Sequence, residues 1–413
     1  MDVWFFTEQP YPQAWDAEGD SLRATLPNKY FDPRIGAELY NRYLDDWAAC
    51  DDLGLNIMIN EHHSSATCLT SSCTLPLAVL ARITKKAKLL SLGIPLANRL
   101  DPVRVAEEIA YIDCLSRGRF NAGFVRGVPY EMAPTNSLPA RTNERFWEAH
   151  DLILKALTTT DGPFNWTGDF YEYRQVNIWP RPYTQPHPKM WVSTGHATGV
   201  GKIAENGHTI ACVFSGKNAA NIFNAYRQRV AELGRPEPTK DKFAYVGLVG
   251  VGGTQEEGFQ RLETVRGYLR TASKVAPALT NPPGYAPIAA NVSALKTGQK
   301  TGRVAADFLK VVTRENKPVN MMTGTAEELI EGGLAFAGTP DQVTEQIKRF
   351  HENVGGMGNL IMMAQGGFLS HEDTIKNLAL FSREVLPQIQ DLKMPQDAAF
   401  DAREETRLRA NAN

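Results

Sequence analysis

The sequence predicts an α/β protein folded as a (β/α)8 barrel, and three observations support this fold class. Eight short apolar segments alternate with amphipathic segments of helical length along the chain. Polar and ionisable residues gather where several of these apolar segments end, as they do at the carboxyl ends of barrel strands. The competing architecture, an open doubly wound sheet, needs a glycine-rich G-x-G-x-x-G turn after its first strand, and Thr7-Glu8-Gln9-Pro10 offers none.

The elements follow one another regularly. The predicted strands are Val3–Phe6, Leu55–Asn60, Lys88–Pro95, Arg119–Val125, Lys189–Ser193, His208–Phe214, Phe243–Val251 and Leu360–Gln365. The predicted helices cover residues 39–53, 75–84, 101–115, 142–157, 197–205, 217–233, 255–274 and 371–385, and another begins at 338–341. The helix after the third strand has Pro102 at its first position, where the missing N–H costs no hydrogen bond.

Two stretches interrupt this alternation. Residues 161–187 are rich in aromatic residues, glycine and proline, which predicts an extended hairpin over the barrel. The interval 276–335 follows the seventh strand and is too long for a simple loop, so we expect a lid-like insertion with a helix near Val304–Val312. Residues 1–390 are predicted to form one domain, and the polar tail 391–413 lacks core residues and is expected to fray.

Composition narrows the function classes. The chain has 413 residues, of which 43% are hydrophobic, as in ordinary globular proteins. Its formal net charge of -2 argues against nucleic acid or an anionic membrane as partner. Apolar runs of membrane-spanning length are absent, and residues 1–6 read as a strand and not as a signal peptide. Five cysteines without CxxC spacing argue against a disulfide framework or a structural zinc site, and they predict a cytoplasmic protein.

The most informative tripeptide is Glu61-His62-His63, which directly follows the second predicted strand. Catalytic groups of α/β barrels stand at such strand ends. Because neighbouring residues of a strand point to opposite faces, the two histidines are expected to serve different tasks, one facing the pocket and the other tied down structurally. Taken alone, the tripeptide is also consistent with two loop histidines that make structural hydrogen bonds and have no catalytic role.

Two further stretches predict an anion site. Arg126 ends the fourth strand between small residues, which places a fixed cation at the barrel mouth. Thr194-Gly195-His196-Ala197-Thr198 joins the fifth strand to its helix, where hydroxyls and free N–H groups favour phosphate. A plain helix cap is the alternative for the second stretch taken alone. Together, on neighbouring strands, they indicate a bound phosphate.

In this order, these motifs resemble the bacterial luciferase-like, flavin-dependent monooxygenase family. The resemblance spans about residues 1–390. The long segment after the seventh strand also matches, because that family carries its mobile active-site loop there. The motifs that carry the resemblance are Glu61-His62-His63, Asp101-Pro102-Val103-Arg104, Gly118-Arg119-Phe120, Gly123-Phe124-Val125-Arg126-Gly127, Thr194-Gly195-x-x-Thr198, Gly338-Thr339-Pro340 and Leu386-Pro387.

The resemblance implies a two-component monooxygenase. A separate NAD(P)H:flavin reductase would supply reduced FMN, and with O2 as co-substrate a C4a-peroxyflavin would oxygenate a small organic substrate. His62 matches the catalytic histidine of the family. The resemblance also implies a homodimer formed through helices on the side of the second and third strands, and it implies no metal. The cofactor-binding residues it implies are Arg126, Thr194, Gly195 and Thr198 for the phosphate, together with Glu61 and His63.

The chain departs from the luciferases at two positions. Val125 stands where luciferases have a cysteine, so light emission is not expected, and Thr194 replaces a carboxylate but keeps a hydroxyl. Two alternatives on the same fold stay open, an F420-dependent hydride-transfer enzyme and a non-catalytic flavin-binding subunit. A metal-dependent hydrolase fits less well because adjacent strand histidines diverge. The substrate is not predicted, although the positions of Thr7, Glu8, Met363 and Gln365 place them on its side of the barrel.

Overall fold

Eight parallel strands close into a barrel in the computed structural model, which confirms the predicted fold class. The structure describes residues 1–17, 19, 21–286, 288, 292, 311–312 and 317–395, without the side chains of residues 198 and 312. Each strand pairs with the next one along the chain, and the last strand pairs with the first. The strands are β1 Asp2–Thr7, β2 Asn56–Ile59, β3 Leu89–Pro95, β4 Phe120–Val125, β5 Lys189–Ser193, β6 Thr209–Val213, β7 Phe243–Val251 and β8 Asn359–Gln365.

The register of the barrel decides which loop residues meet at its mouth. Phe6 of β1 is level with Met58 of β2, so the residues that follow these strands leave the barrel side by side. Phe124 of β4 is likewise level with Val192 of β5. Because parallel strands end on one edge, all the candidate site residues lie at the same end of the barrel.

Alternation along the strands divides the core into an inner and an outer cluster. In β1, Trp4 and Phe6 pack inside the barrel, whereas Val3 and Phe5 pack outward against the helices. Trp4 meets Trp191 of β5 edge to face, with ring centroids 5.4 Å apart. The barrel is therefore filled with side chains and is not a pore, and a ligand can enter only at its mouth.

Helices surround the barrel, and their starts are fixed by side-chain caps. The first helix begins at Pro33, six residues before the predicted start at Leu39, because Asp32 accepts a hydrogen bond from the Arg34 N–H. The main helices are Pro33–Ala48, Thr74–Ile83, Pro102–Ser116, Thr142–Thr158, Val200–Glu205, Ala219–Glu232, Gln255–Ala272, Pro340–Asn353 and His371–Leu380. Shorter helical turns are Pro12–Ala14, Asn28–Tyr30, Cys50–Leu53, Leu96–Asn98, Pro129–Glu131, Ala197–Gly199, Gly216–Asn218, Lys240–Lys242, Pro277–Thr280, Ala326–Glu331, Phe381–Val385 and Leu386–Ile389. No helix among the described residues combines the length and apolar character that a membrane span requires.

The predicted hairpin is present and lies against the flank of the barrel. Strands Phe164–Thr167 and Glu172–Val176 pair antiparallel. The carboxylate of Glu148 accepts hydrogen bonds from the Trp166 indole and from three backbone N–H groups of the hairpin. The hairpin is thus attached to the helix Thr142–Thr158.

The insertion between β7 and β8 is described only in part. Val311–Val312 pairs with Pro318–Val319, so the helix predicted near Val304–Val312 is wrong at its last two residues, and residues 304–310 lie outside the described part. The short strand Ala335–Gly338 pairs with the carboxyl half of β7 and raises the barrel wall above β6. Most of the predicted lid also lies outside the described residues.

The described start of the C-terminal tail contacts the body of the protein. His351 donates from Nε2 to the Lys393 carbonyl oxygen over 2.8 Å, and Met394 packs on Gly356. Ordered contacts therefore extend past the predicted boundary at residue 390, and residues 396–413 lie outside the described part.

Candidate active site at the barrel mouth

His62 lies just beyond β2 and is held between two carboxylates. Its Nδ1 is 2.8 Å from Glu131 Oε1, and its Nε2 is 3.6 Å from Glu8 Oε2. Glu131 also accepts a hydrogen bond from the His63 backbone N–H over 3.0 Å, and the Tyr130 hydroxyl lies 3.0 Å from His62 Nδ1. The ring position is therefore fixed from one side, while Nε2 faces Glu8.

The opposite charges of His62 and Glu131 stabilise each other. Burial lowers the pKa of His62, but the carboxylates of Glu131 and Glu8 outweigh burial and raise the pKa above its ordinary value. Burial raises the pKa of Glu131, but the His62 charge and hydrogen bonds lower it more, so its net pKa is depressed. Both directions describe an imidazolium bound to a carboxylate. Such a group can give a proton from Nε2 and take it back.

A buried cation, Arg23, contacts Tyr130, the tyrosine beside His62. The Arg23 guanidinium donates hydrogen bonds to the hydroxyls of Tyr130 and Tyr268 and lies 4.8 Å from the Tyr130 ring centroid. Burial raises the pKa of Tyr130 far above its ordinary range, so its hydroxyl stays protonated. The wall beside His62 is thus aromatic and polar, and its phenols remain neutral.

Glu61 and His63 form a separate cluster. The Glu61 carboxylate is buried and accepts from Arg99 Nη2 over 2.6 and 2.8 Å and from the Cys73 N–H over 3.1 Å. His63 Nε2 lies 3.0 Å from Glu61 Oε1. The two histidines therefore have different partners, as the sequence predicts. The cofactor-binding role of Glu61 and His63 stays a prediction.

Arg126 follows β4 and has the character expected of an anion-binding residue. Its guanidinium lies 4.4 Å from the ring centroid of Tyr285, and Tyr285 donates from its hydroxyl to the Gly127 carbonyl oxygen over 2.8 Å. Among the described carboxylates, none lies within ion-pair distance of Arg126. A cation without a carboxylate partner fits a phosphate such as that of FMN.

Thr194 follows β5, and the strand pairing ends with Phe124 level with Val192, two residues before Arg126 and Thr194. Its hydroxyl accepts from the His196 N–H over 3.3 Å and donates to the His196 carbonyl oxygen over 3.1 Å, so it is used within its own loop. Gly195 is half-buried in that loop, and Thr198 belongs to the turn Ala197–Gly199. The helix proper starts only at Val200, three residues later than predicted. The phosphate role of this loop stays a prediction.

Sequence reasoning missed Arg23, Tyr130 and Glu131. Tyr130 and Glu131 belong to the turn Pro129–Glu131, which follows the Arg126 strand end. A carboxylate a few residues past the end of a barrel strand is a sequence signal that could have identified Glu131. Arg23 comes from an irregular loop after β1, where the sequence offers no periodic signal. The described residues contain no group of three or more His, Cys, Asp or Glu side chains that could hold a metal.

Comparison with known proteins decides the family. The sequence model of the luciferase-like monooxygenases matches residues 33–355, most of the chain. The chain belongs to the luciferase-like monooxygenase family. The resemblance seen in the sequence motifs is thereby confirmed, and the chain is a member of a flavin-dependent monooxygenase family.

Relatives in sequence cover only part of the chain. A protein of Sinorhizobium fredii, y4wF, is 30% identical over 239 residues, which are 55% of this chain and 68% of that protein. The alkanal monooxygenase beta chain of Photorhabdus luminescens is 30% identical over 174 residues, 42% of this chain and 52% of that one. The oxygenase component of the flavin-dependent trigonelline monooxygenase of Acinetobacter baylyi is 24% identical, covering 52% of this chain and 61% of its own length. The match to these last two thus spans little more than half of their length.

Solved structures share the fold over nearly the whole chain. The oxygenating constituent of 3,6-diketocamphane monooxygenase from Pseudomonas putida, in complex with FMN, has a TM-score of 0.69 and 19% identity, with 95% of this chain and 99% of that chain covered. An F420-dependent secondary alcohol dehydrogenase has a TM-score of 0.59 and 15% identity, with 84% and 94% covered. At these identities the likeness concerns the fold alone.

Proposed function

We propose that the protein is the oxygenase component of a two-component FMN-dependent monooxygenase. It would take reduced FMN from a separate NAD(P)H:flavin reductase and use O2 to oxygenate a small organic substrate. Reduced FMN supplies the chemistry that activates O2, and the residues of this chain bind the flavin, exclude water and move a proton. The family supports this reading, as does the FMN complex of a protein with the same fold.

One observation supports the proposal more than any other. Arg126 and Glu131 are five residues apart in a single loop after β4, and Glu131 contacts His62 over 2.8 Å. The loop therefore joins a cation suited to phosphate and the partner of a protonatable histidine. We expect a ligand with phosphate at one end and a reactive ring at the other to contact both ends of this loop.

The proposal gives each residue a task. Arg126 and the Thr194 hydroxyl hold the FMN phosphate, with Gly195 and Thr198 beside them. Glu61 and His63 form the wall next to the flavin. His62 is the acid and base at the reacting end, and Glu131 acts as the positioning residue that orients it.

Flavin binding and oxygen reactivity test the proposal. The protein is titrated anaerobically with reduced FMN and with reduced F420, and the dissociation constants are compared. We expect tighter binding of FMN and, when the complex is then mixed with oxygenated buffer, reaction of the bound flavin with O2 that returns oxidised FMN more slowly than free flavin oxidises. Preference for F420 and indifference to O2 would instead support hydride transfer, the alternative raised by F420-dependent enzymes of the same fold. Binding of FMN without turnover would support a non-catalytic flavin-binding subunit.

We also propose a homodimer, because the helix Thr74–Ile83 carries an exposed apolar stripe. Leu75, Val79 and Ile83 are 70%, 46% and 53% exposed and stand four residues apart on one face. We expect Val79→Glu to halve the mass measured by light scattering. Leu138→Glu, at a leucine elsewhere that is 71% exposed, is the control and should leave the mass unchanged.

A cytoplasmic location is part of the proposal as well. It is supported by the cysteines, all five of which are free in the structure, and four of which are buried.

A further inference from the structure

Asn98 carries a buried amide whose hydrogen-bonding capacity is unused. It ends the turn Leu96–Asn98, which directly follows β3, and is only 5% exposed. Neither Oδ1 nor Nδ2 has a hydrogen-bond partner in the described part of the chain. More than nine in ten buried polar groups in proteins are paired, since an unpaired one costs about 1–3 kcal/mol. An amide unpaired at both atoms therefore calls for a ligand.

The surroundings place this amide inside the candidate site. Asn98 packs on Gly127, where a Cβ would come within 2.4 Å of Asn98 Oδ1 and where φ is +110°. The preceding residue, Ala97, donates its N–H to the Arg126 carbonyl oxygen over 3.2 Å. The following residue, Arg99, holds the Glu61 carboxylate. Asn98 thus lies between the Glu61 cluster and the predicted phosphate cation.

The chemistry of the amide narrows the ligand group. A carboxamide offers one acceptor and two donor hydrogens in one plane. A carboxylate or phosphate would use only its donors and leave Oδ1 unpaired. The complementary group is neutral and both donates and accepts, as do the imide edge of a flavin ring and a ribityl hydroxyl.

We propose that Asn98 is a flavin-binding residue that pairs with such a neutral donor–acceptor group. The inference rests on the proposed FMN function. It adds a contact after β3 to the contacts predicted after β2, β4 and β5. It also explains why position 127 is glycine, because a side chain there would displace the amide.

The test substitutes leucine, whose side chain has the same number and branching of heavy atoms but no polar atoms. Replacing an unpaired buried amide by an apolar side chain removes its desolvation cost in the free protein. We expect Asn98→Leu to melt at the same or a higher temperature than the wild type without flavin, and to bind reduced FMN at least tenfold more weakly. Undiminished stability combined with weaker binding distinguishes a ligand-binding residue from a structural one.

Asn377→Leu is the matched control. Asn377 is also a buried asparagine with an unpaired Nδ2, but its Oδ1 accepts from the Val251 N–H over 2.9 Å. We expect Asn377→Leu to lower the melting temperature and leave the dissociation constant for reduced FMN unchanged.

Each further outcome has a defined meaning. If the wild type binds reduced FMN and Asn98→Leu binds it equally well, the inference is overturned while the proposed function stands. If the wild type binds no FMN, the proposed function is wrong, and the assignment of Asn98 that rests on it is overturned as well. Lumiflavin, which lacks the ribityl phosphate, separates the two ligand groups, because weaker binding that persists with lumiflavin assigns the contact to the ring. If Asn98→Leu does not fold, Asn98→Ala is measured in the same way and must show the same weakening.

Discussion

Glu131→Gln removes one charge from the site and little else. Glutamine keeps an oxygen that can accept from the His62 ring and from the His63 N–H, the two bonds that Glu131 makes over 2.8 and 3.0 Å. The side chain is buried, so solvent screens the pair only weakly. Opposite charges roughly 4 Å apart at an effective dielectric constant near 20 attract by about 4 kcal/mol. Most of that attraction is lost in the variant.

The direct consequence concerns protonation of His62. In the wild type the Glu131 and Glu8 carboxylates raise the pKa of His62 against the lowering effect of burial. A raised histidine pKa contributes stability that is fully present below the ordinary histidine pKa and is lost as pH rises through the raised value. With Glu131 neutral, burial is opposed by Glu8 alone, so the pKa of His62 must fall and this contribution to stability must shrink.

The assay is an NMR titration of the histidine Cε1–H resonances, with His62 assigned from the loss of its signal in His62→Ala. Glu148→Gln is the control, because Glu148 holds the Phe164–Val176 hairpin and makes no contact with His62. We expect the His62 midpoint to move to lower pH in Glu131→Gln only. An unchanged or higher midpoint would refute the reasoning.

Three other predictions follow from single contacts. Arg126→Ala should weaken binding of FMN by about 10- to 100-fold, the value of a charge-assisted phosphate contact, and leave binding of riboflavin unchanged; equal losses for both would move the phosphate elsewhere. His62→Ala should leave the dissociation constant for FMN within about twofold and shorten the lifetime of the oxygenated flavin by about 10²-fold; an unchanged lifetime would remove His62 from the chemistry. Burial raises the pKa of Asp46 from 3.8 to about 6, despite its hydrogen bond to His371. The folded state therefore favours the protonated carboxyl, so the stability that Asp46 contributes is present below about pH 4 and is lost as pH rises through 6. At 1.36 kcal/mol per unit the loss is about 3 kcal/mol. The melting temperature of Asp46→Asn relative to wild type should therefore rise between pH 4 and pH 7, and a pH-independent difference would contradict the pKa.

The strands and most helices were predictable because the local pattern and the tertiary structure agree. In β2, Ile57 packs outside the barrel and Met58 inside, and the apolar run ends at Ile59, two residues before Glu61, as the fold requires. The start of the first helix was missed because Asp32-Pro33 precedes the apolar periodicity, and only the cap fixes the boundary.

The site was predictable only where a strand end carries its residues. His62 lies three residues past the end of β2 and Arg126 directly follows β4, and the barrel fold alone brings them to one mouth. Arg23 comes from an irregular loop, and its contact with Tyr130 spans 107 residues of sequence. Asn98 differs again, because an unpaired amide becomes visible only when the burial and the partners of the side chain are known.

The central claim is most directly tested by stopped-flow absorbance after mixing the protein and reduced FMN with oxygenated buffer. We predict a transient absorbance that belongs to neither reduced nor oxidised FMN, decaying more slowly than free flavin oxidises. Oxidation of the flavin at the rate seen in free solution, with no transient, would contradict the assignment of this protein as an FMN-dependent monooxygenase.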